Sequence, residues 1–434
     1  MRGDVPGALR RLARSDFVRF GAVVFAAQTG ANVLNFAFHV LVSRRVGVAP
    51  YGELNALLAG MTILLVPATI LTTIVVKYAA EFRAVDDAPR LRALVLRVAG
   101  SIGPAALAIV PLGALLAAPA AAFFNVSSRP AIVMTAVVLA LNLLLPVLRG
   151  ILQGAERFRE YAISALLEVV VKVVLAVILT GAGFGVAGAL GAWALGSATS
   201  LVYTFFTLQR FYGAQPRAPL SLDLPRLART SAGVTAATLL ISAMGFGDIL
   251  IVKHYFAPQA AGLYGAGALA GKMLFWLVGF VPAVVLPRAA GSAARGERTA
   301  PILFQAVAAI VVLAGGGLAF YALFPRFVVT ALAGEAFAPA ASIVFSYGVA
   351  TTLLAVLNTV ALYKLAVHRF DFIVPLALVV LGELIAVVLR HDTPQQVITV
   401  LIVGNAAGLA AALYRFDAPP ASQIVAPRAS RVAR

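Results

Sequence analysis

Glu168, Lys172, Asp248, Lys272 and Glu383 each fall inside a long apolar run of this sequence. An ionised side chain in hydrocarbon costs about 2.5–3.5 kcal/mol even on insertion scales, so residues of this kind mark transport pathways or proton relays by default. Glu168 and Lys172 stand four residues apart in ALLEVVVKVVLAVIL. On a helix that spacing, with the acid first, puts them on one face in the order that favours pairing. Asp248 is placed to pair with Lys272 or to serve as a protonatable coupling group. Asn32, Asn35 and His39 recur at spacings of three and four, which places them on one helix face. That face either lines a cavity or bonds a neighbouring helix.

The elements that must hold these residues follow from composition. The chain has 434 residues, 62% hydrophobic and 12% charged, with a mean hydropathy of +0.97. A soluble domain carries about 25% charged residues. Long apolar runs, rather than the short alternating segments of a barrel, define an all-α polytopic membrane protein. Spans of about 20 residues are expected at 17–42, 52–76, 94–118, 130–149, 162–181 and 186–208. A second set falls at 231–253, 261–287, 302–324, 341–364, 370–390 and 396–414. The third is interrupted by Pro104, Pro111 and Pro119, and the last begins polar. Pro67, Pro146, Pro282 and Pro287 mark expected kinks.

The net charge of +17 does not indicate nucleic acid. The basic residues sit in short connections between spans, as topology determinants do. With the amino terminus inside, the even-numbered loops and both ends carry most of the Lys and Arg. The outer loops hold only Arg44, Arg45, Arg129, Lys253, Arg326 and Arg390. Twelve spans with both termini cytoplasmic satisfy this bias. The run opening at Phe17 is longer than a signal-peptide core and reads as a retained first helix. Cysteine is absent and the four histidines lack metal-ligand spacing, so neither a metal site nor a cofactor is expected. Gly188, Ala192 and Gly196 form a small-residue stripe suited to close helix packing.

The proline-rich stretch 209–230 divides the chain nearly in half, and the halves repeat. LNLLLPVLRGILQGAERF parallels LNTVALYKLAVHRF, which sets Asn142 beside Asn358 and Arg157-Phe158 beside Arg369-Phe370. Glu168 then falls opposite Glu383, while Val387 stands where Lys172 would repeat. The expected organisation is a cytoplasmic segment at 1–16, a lobe at 17–208, a linker at 209–230, a second lobe at 231–414 and a basic tail at 415–434. Two parallel six-helix lobes around a central cavity match the plan of alternating-access transporters.

These stretches resemble the polysaccharide transporter, or lipid-linked oligosaccharide flippase, family of the multidrug/oligosaccharidyl-lipid/polysaccharide exporter superfamily. The resemblance rests on SRRVGVAPYGEL, RGILQGAERFREYA, GDILIVKHYFAPQAAGLYGAGALA and VVLPRAAG, and runs over most of the chain. It implies a transporter, not an enzyme, in the cytoplasmic membrane of a prokaryote. It would move a glycan on a polyprenyl pyrophosphate carrier to the outer leaflet. Its partners would be that lipid-linked glycan, membrane lipids and polysaccharide assembly proteins.

For such a substrate, cations facing a hydrated cavity would offset desolvation of the phosphates. Lys272 is the leading candidate, with Lys172, Arg45, Lys253 and Arg288 beside it. Snorkelling to the interface is the competing role for the last three. Because the second lobe keeps the acid without the base, Lys172 is expected to face the cavity with Glu168 holding it. Asp248, Glu168, Glu383 and Glu53 are the coupling or gating candidates. The alternative function is multidrug or cation antiport; the first span's lack of an acid and the leftover lysines suit an anionic head group better.

Overall fold

The computed structural model of the chain describes residues 16–216, 218–220, 224–295 and 297–414. The amino-terminal segment before Asp16, Arg217 and the tail from 415 lie outside the described residues. Among those described, every element is helical.

The chain forms two compact units that meet in sequence at Leu227 and Ala228. In the first, α1 (Asp16–Val46) leads to α2 (Val48–Leu64) and α3 (Val66–Ala84), then α4 (Ala88–Leu115) and the short α5 (Ala117–Phe123). The unit closes with α6 (Arg129–Gly154), α7 (Phe158–Gly181) and α8 (Gly185–Tyr212). The second opens with α9 (Leu224–Tyr255), α10 (Pro258–Leu277) and α11 (Phe280–Ala294), followed by α12 (Ala300–Leu323) and the short α13 (Pro325–Ala333). After a 3-10 turn at Glu335–Ala340 come α14 (Ala341–Ala366), α15 (Ile373–Leu389) and α16 (Pro394–Leu413). Each unit therefore has the same order: a long helix, a broken span, a span followed by a short helix, and three further spans.

Nine helices among the described residues are long and apolar enough to cross a membrane, or ten if α2 and α3, bent by 45°, form one span. The long α1 and the 17-residue α15 complete the set of about twelve spans that the hydropathy pattern requires.

The boundaries differ from the expected ones where proline and capping chemistry intervene. The second span breaks at Leu65, with Pro67 in the first turn of α3, because proline has no N–H to give the preceding turn. The eighth breaks at Val278–Gly279 before Pro282. Pro104 and Pro111 lie inside a continuous α4, and Pro146 inside a continuous α6. The polar start of the last span is a helix start: Thr393 Oγ1 accepts from the Gln396 N–H at 3.2 Å, with Pro394 at the position where a missing N–H costs least. The stretch 209–230 is helical at both its ends, since α8 runs to Tyr212 and α9 begins at Leu224.

The repeat is carried into backbone detail. Helices α6 and α14 end in the same motif, with Glu156 (φ 59°) and His368 (φ 55°) in the left-handed region. The next amides close it: Arg157 N–H donates to Leu152 O and Arg369 N–H to Lys364 O, each at 2.8 Å. This is the Schellman arrangement, placed immediately before the two Arg-Phe pairs that align in sequence.

Candidate functional site

In the first unit, Lys172 projects from α7 and is 3% exposed. Its Nζ donates to Asn35 Oδ1 on α1. The ammonium also lies 4.9 Å from the Phe38 ring centroid and 4.3 Å from that of Trp193. An ammonium desolvated against two aromatic faces gains up to about 2 kcal/mol or more from the ring quadrupoles. The expected Glu168–Lys172 ion pair is not formed, and that expectation is corrected: the ammonium instead meets Asn35, Phe38 and Trp193 of its own unit.

Glu168 is instead held by Arg149 of α6, whose Nη2 donates to Glu168 Oε2 at 2.8 Å. Serine side chains complete the site. Arg149 Nε donates to Ser164 Oγ at 3.0 Å, and Nη2 to Ser200 Oγ at 2.9 Å. Ser197 Oγ donates to the other Glu168 oxygen at 3.1 Å, and Ser164 and Thr204 hydroxyls are 2.7 Å apart. The guanidinium's rigid planar fork of donors matches the fixed positions of the carboxylate and the two serines, which suits Arg149 to this site. Sequence reading missed Arg149 because it sits at the edge of its span. The signal was Ser197, Ser200 and Thr204, which share one stripe of α8 at helical spacing. That stripe adjoins the small-residue one: a Cβ on Gly196 would stand 2.5 Å from the Glu168 carbonyl oxygen, so α7 and α8 meet closely at the acid.

The face proposed for α1 is divided. Asn35 reaches Lys172, while His39 Nδ1 lies 3.3 Å from Tyr51 Oη. Asn32 is exposed and accepts from Gln28 Nε2 at 3.3 Å. Glu53 is 5% exposed. It receives the Ser127 N–H on Oε1 at 3.1 Å, and its Oε2 is buried without a hydrogen-bond partner. Arg45 donates to the Val177 carbonyl near the end of α7 at 3.3 Å, a cation at a helix C-terminus.

In the second unit, Asp248 of α9 is 1% exposed. The Tyr264 and Tyr347 hydroxyls donate to its Oδ2 at 2.6 and 2.7 Å, and Oδ1 has no hydrogen-bond partner. Of the two roles open to Asp248, pairing with Lys272 is not seen: neither Asp248 Oδ1 nor Lys272 Nζ makes a hydrogen bond. Lys272 is 7% exposed, its Nζ makes no hydrogen bond, and it stands 4.0 Å from the Phe246 ring centroid. Glu383 of α15 is also buried, with Oε2 unpartnered, and rests against Gly404 of α16, where a Cβ would come within 1.9 Å of that oxygen. Asn405 follows, donating Nδ2 to Ala350 O at 3.1 Å and leaving Oδ1 unpartnered. Lys253 is buried in the last turn of α9, and Arg288 is exposed on α11.

The repeat-related acids thus each lie against a glycine of the following helix, but with different atoms and different counter-charges. The Glu168 carbonyl meets Gly196 and its carboxylate accepts from Ser197, whereas the Glu383 carboxylate itself meets Gly404; among the described residues only Glu168 is paired with an arginine. Around Glu168 two cations face one acid; around Glu383 and Asp248 two acids face one ammonium. No group of three or more His, Cys, Asp or Glu side chains able to hold a metal occurs among the described residues.

The family profile described as "Polysaccharide biosynthesis protein" matches residues 17–293. Among solved structures, the fold is similar to an inward-facing multidrug resistance MATE family transporter of the MOP superfamily, with a TM-score of 0.75 at 12% identity over 88% of this chain and 93% of that one. The lipid II flippase MurJ in an inward closed conformation superposes with a TM-score of 0.69 at 14% identity, over 91% and 87%. A MOP superfamily transporter from Pyrococcus furiosus, described by the reversed polarity of its binding pocket, gives 0.56 at 16% identity over 92% and 94%. No curated protein matches the chain in sequence.

Proposed function

This chain belongs to the polysaccharide biosynthesis protein family, a multi-pass membrane transporter with the MOP fold, and from that premise we propose that it flips a polyprenyl-pyrophosphate-linked oligosaccharide. The glycan precursor moves from the cytoplasmic to the outer leaflet of a prokaryotic inner membrane by alternating access, with both termini cytoplasmic. The observation that carries this reading is the charge balance of the first unit. Arg149 consumes the one acid near Lys172, so the Lys172–Asn35 site retains a net positive charge. Phosphate oxygens are the natural acceptors for such a site, and a cationic drug is repelled by it.

In this scheme Lys172, Asn35 and His39 engage the head group, while Arg45, Lys253 and Arg288 act towards the helix ends. Asp248 and Glu383 form the coupling pair, Lys272 lies beside them, and Glu53 gates near the outer surface. The isoprenoid tail stays in lipid, and assembly proteins receive the product. Purified protein in proteoliposomes should move a fluorescent lipid-linked glycan between leaflets. Absence of translocation above protein-free vesicles rejects the reading.

A second reading, multidrug or cation antiport, is favoured by the unpartnered carboxylate oxygens of Asp248 and Glu383, which suit a cation. It requires raised resistance to a cationic drug in an efflux-deficient host.

A further inference from the structure

Three buried oxygens of the second unit lack a hydrogen-bond donor: Asp248 Oδ1, Glu383 Oε2 and Asn405 Oδ1. One buried ammonium in the same unit, Lys272 Nζ, lacks an acceptor. Leaving charged groups unpaired in low dielectric is costly on both sides. Asp248 is nonetheless close enough for its charge to interact with those of Lys272 and Glu383. The ammonium rests instead on the Phe246 ring, 4.0 Å from its centroid. A lysine stem has four flexible carbons and an ammonium whose three donors can turn to any acceptor. By contrast Asp248 is fixed: two tyrosine hydroxyls from α10 and α14 pin one oxygen and leave the other bare.

We propose that Lys272 is a tethered counter-cation for Asp248, parked on Phe246 in the state seen here and seated on Oδ1 in another. The chain thereby carries its own cation for the acid pair instead of recruiting a free one. The first unit supplies the contrast: there Glu168, the counterpart of Glu383, is paired with an arginine that also bonds two serines. A guanidinium locked by serines cannot exchange partners, whereas an ammonium with no hydrogen bond can. Phe246 is the parking surface because a π face holds a cation without any directional bond that must break on departure.

The inference rests on reading Asp248 and Glu383 as the coupling pair, but its test needs no substrate. Melting temperatures of purified full-length protein would be compared in methylammonium chloride and in tetramethylammonium chloride at equal ionic strength. Lys272→Ala opens a space for a small primary ammonium. It is expected to gain a saturable upward shift of a few degrees in methylammonium, whereas the wild type and Lys272→Ala/Asp248→Asn gain none. Lys272→Met, which fills the same volume without charge, is expected to melt at or above the wild-type temperature, since it removes an unpaired charge. No methylammonium shift in Lys272→Ala, or an equal shift with Asp248→Asn present, overturns the proposal. A lowered melting temperature in Lys272→Met also overturns it, because the ammonium would then be a brace. Failure of glycan translocation alone leaves these equilibria untouched and counts only against the flippase reading.

Discussion

Glu383 occupies the space that a side chain at Gly404 would fill: a Cβ there would fall 1.9 Å from Oε2 and 2.7 Å from Cδ. The acid can be buried between α15 and α16 only because residue 404 has no side chain. Gly404→Ala is therefore expected to destabilise the protein by about 1–3 kcal/mol, the range for overpacking. Glu383→Ala in the same chain should recover most of that loss. Thermal unfolding of the single and double variants measures both effects, and additive losses would contradict the contact.

Arg149→Ala leaves Glu168 buried without its cation. Breaking such a pair typically costs about 3–5 kcal/mol. Removing Glu168 as well should restore part of the stability, a coupling that a double-mutant cycle reads directly. Arg149→Lys should behave like a partial deletion, because one ammonium cannot reproduce the contacts to Ser164, Glu168 and Ser200.

Lys172→Gln is expected to lower glycan translocation about tenfold or more, the worth of one charge-assisted hydrogen bond to phosphate. Its unfolding temperature should change little. Equal translocation by Lys172→Gln would remove the residue from substrate binding.

Asp248→Asn keeps the oxygen that accepts from Tyr264 and Tyr347, so the fold should melt at or above the wild-type temperature. Coupled transport should be lost, because the amide neither ionises nor attracts a cation. A normal driving-force dependence in this variant would exclude Asp248 from coupling.

Much of this architecture was legible from one-dimensional patterns. The order of spans follows apolar runs, and the break at Leu65 follows Pro67. The aligned pairs Arg157-Phe158 and Arg369-Phe370 each follow a helix end of the same form. Spacing on a single helix was misleading for Glu168 and Lys172, which were expected to pair at four residues. The partners chosen, Arg149 for the acid and Asn35 with Trp193 for the base, come from three other helices. For Asp248 the pairing with Lys272 stayed one of two alternatives, and nothing in the sequence shows two tyrosines from separate helices reaching one carboxylate oxygen. Packing between helices decides such choices, and a hydropathy pattern carries no record of it. The break at Val278–Gly279 lies just before Pro282, one of the expected kinks.

Because Glu168 and Glu383 each lie against a glycine of the helix that follows, the last hairpin of each half reads as an exchangeable cassette. A duplicated gene begins with two copies of one device, and drift can then assign them separate trades. Here one copy is held by a guanidinium, while the other keeps a carboxylate oxygen with no hydrogen-bond partner. A chimera bearing the α15–α16 hairpin in both halves would show whether that division of labour is reversible.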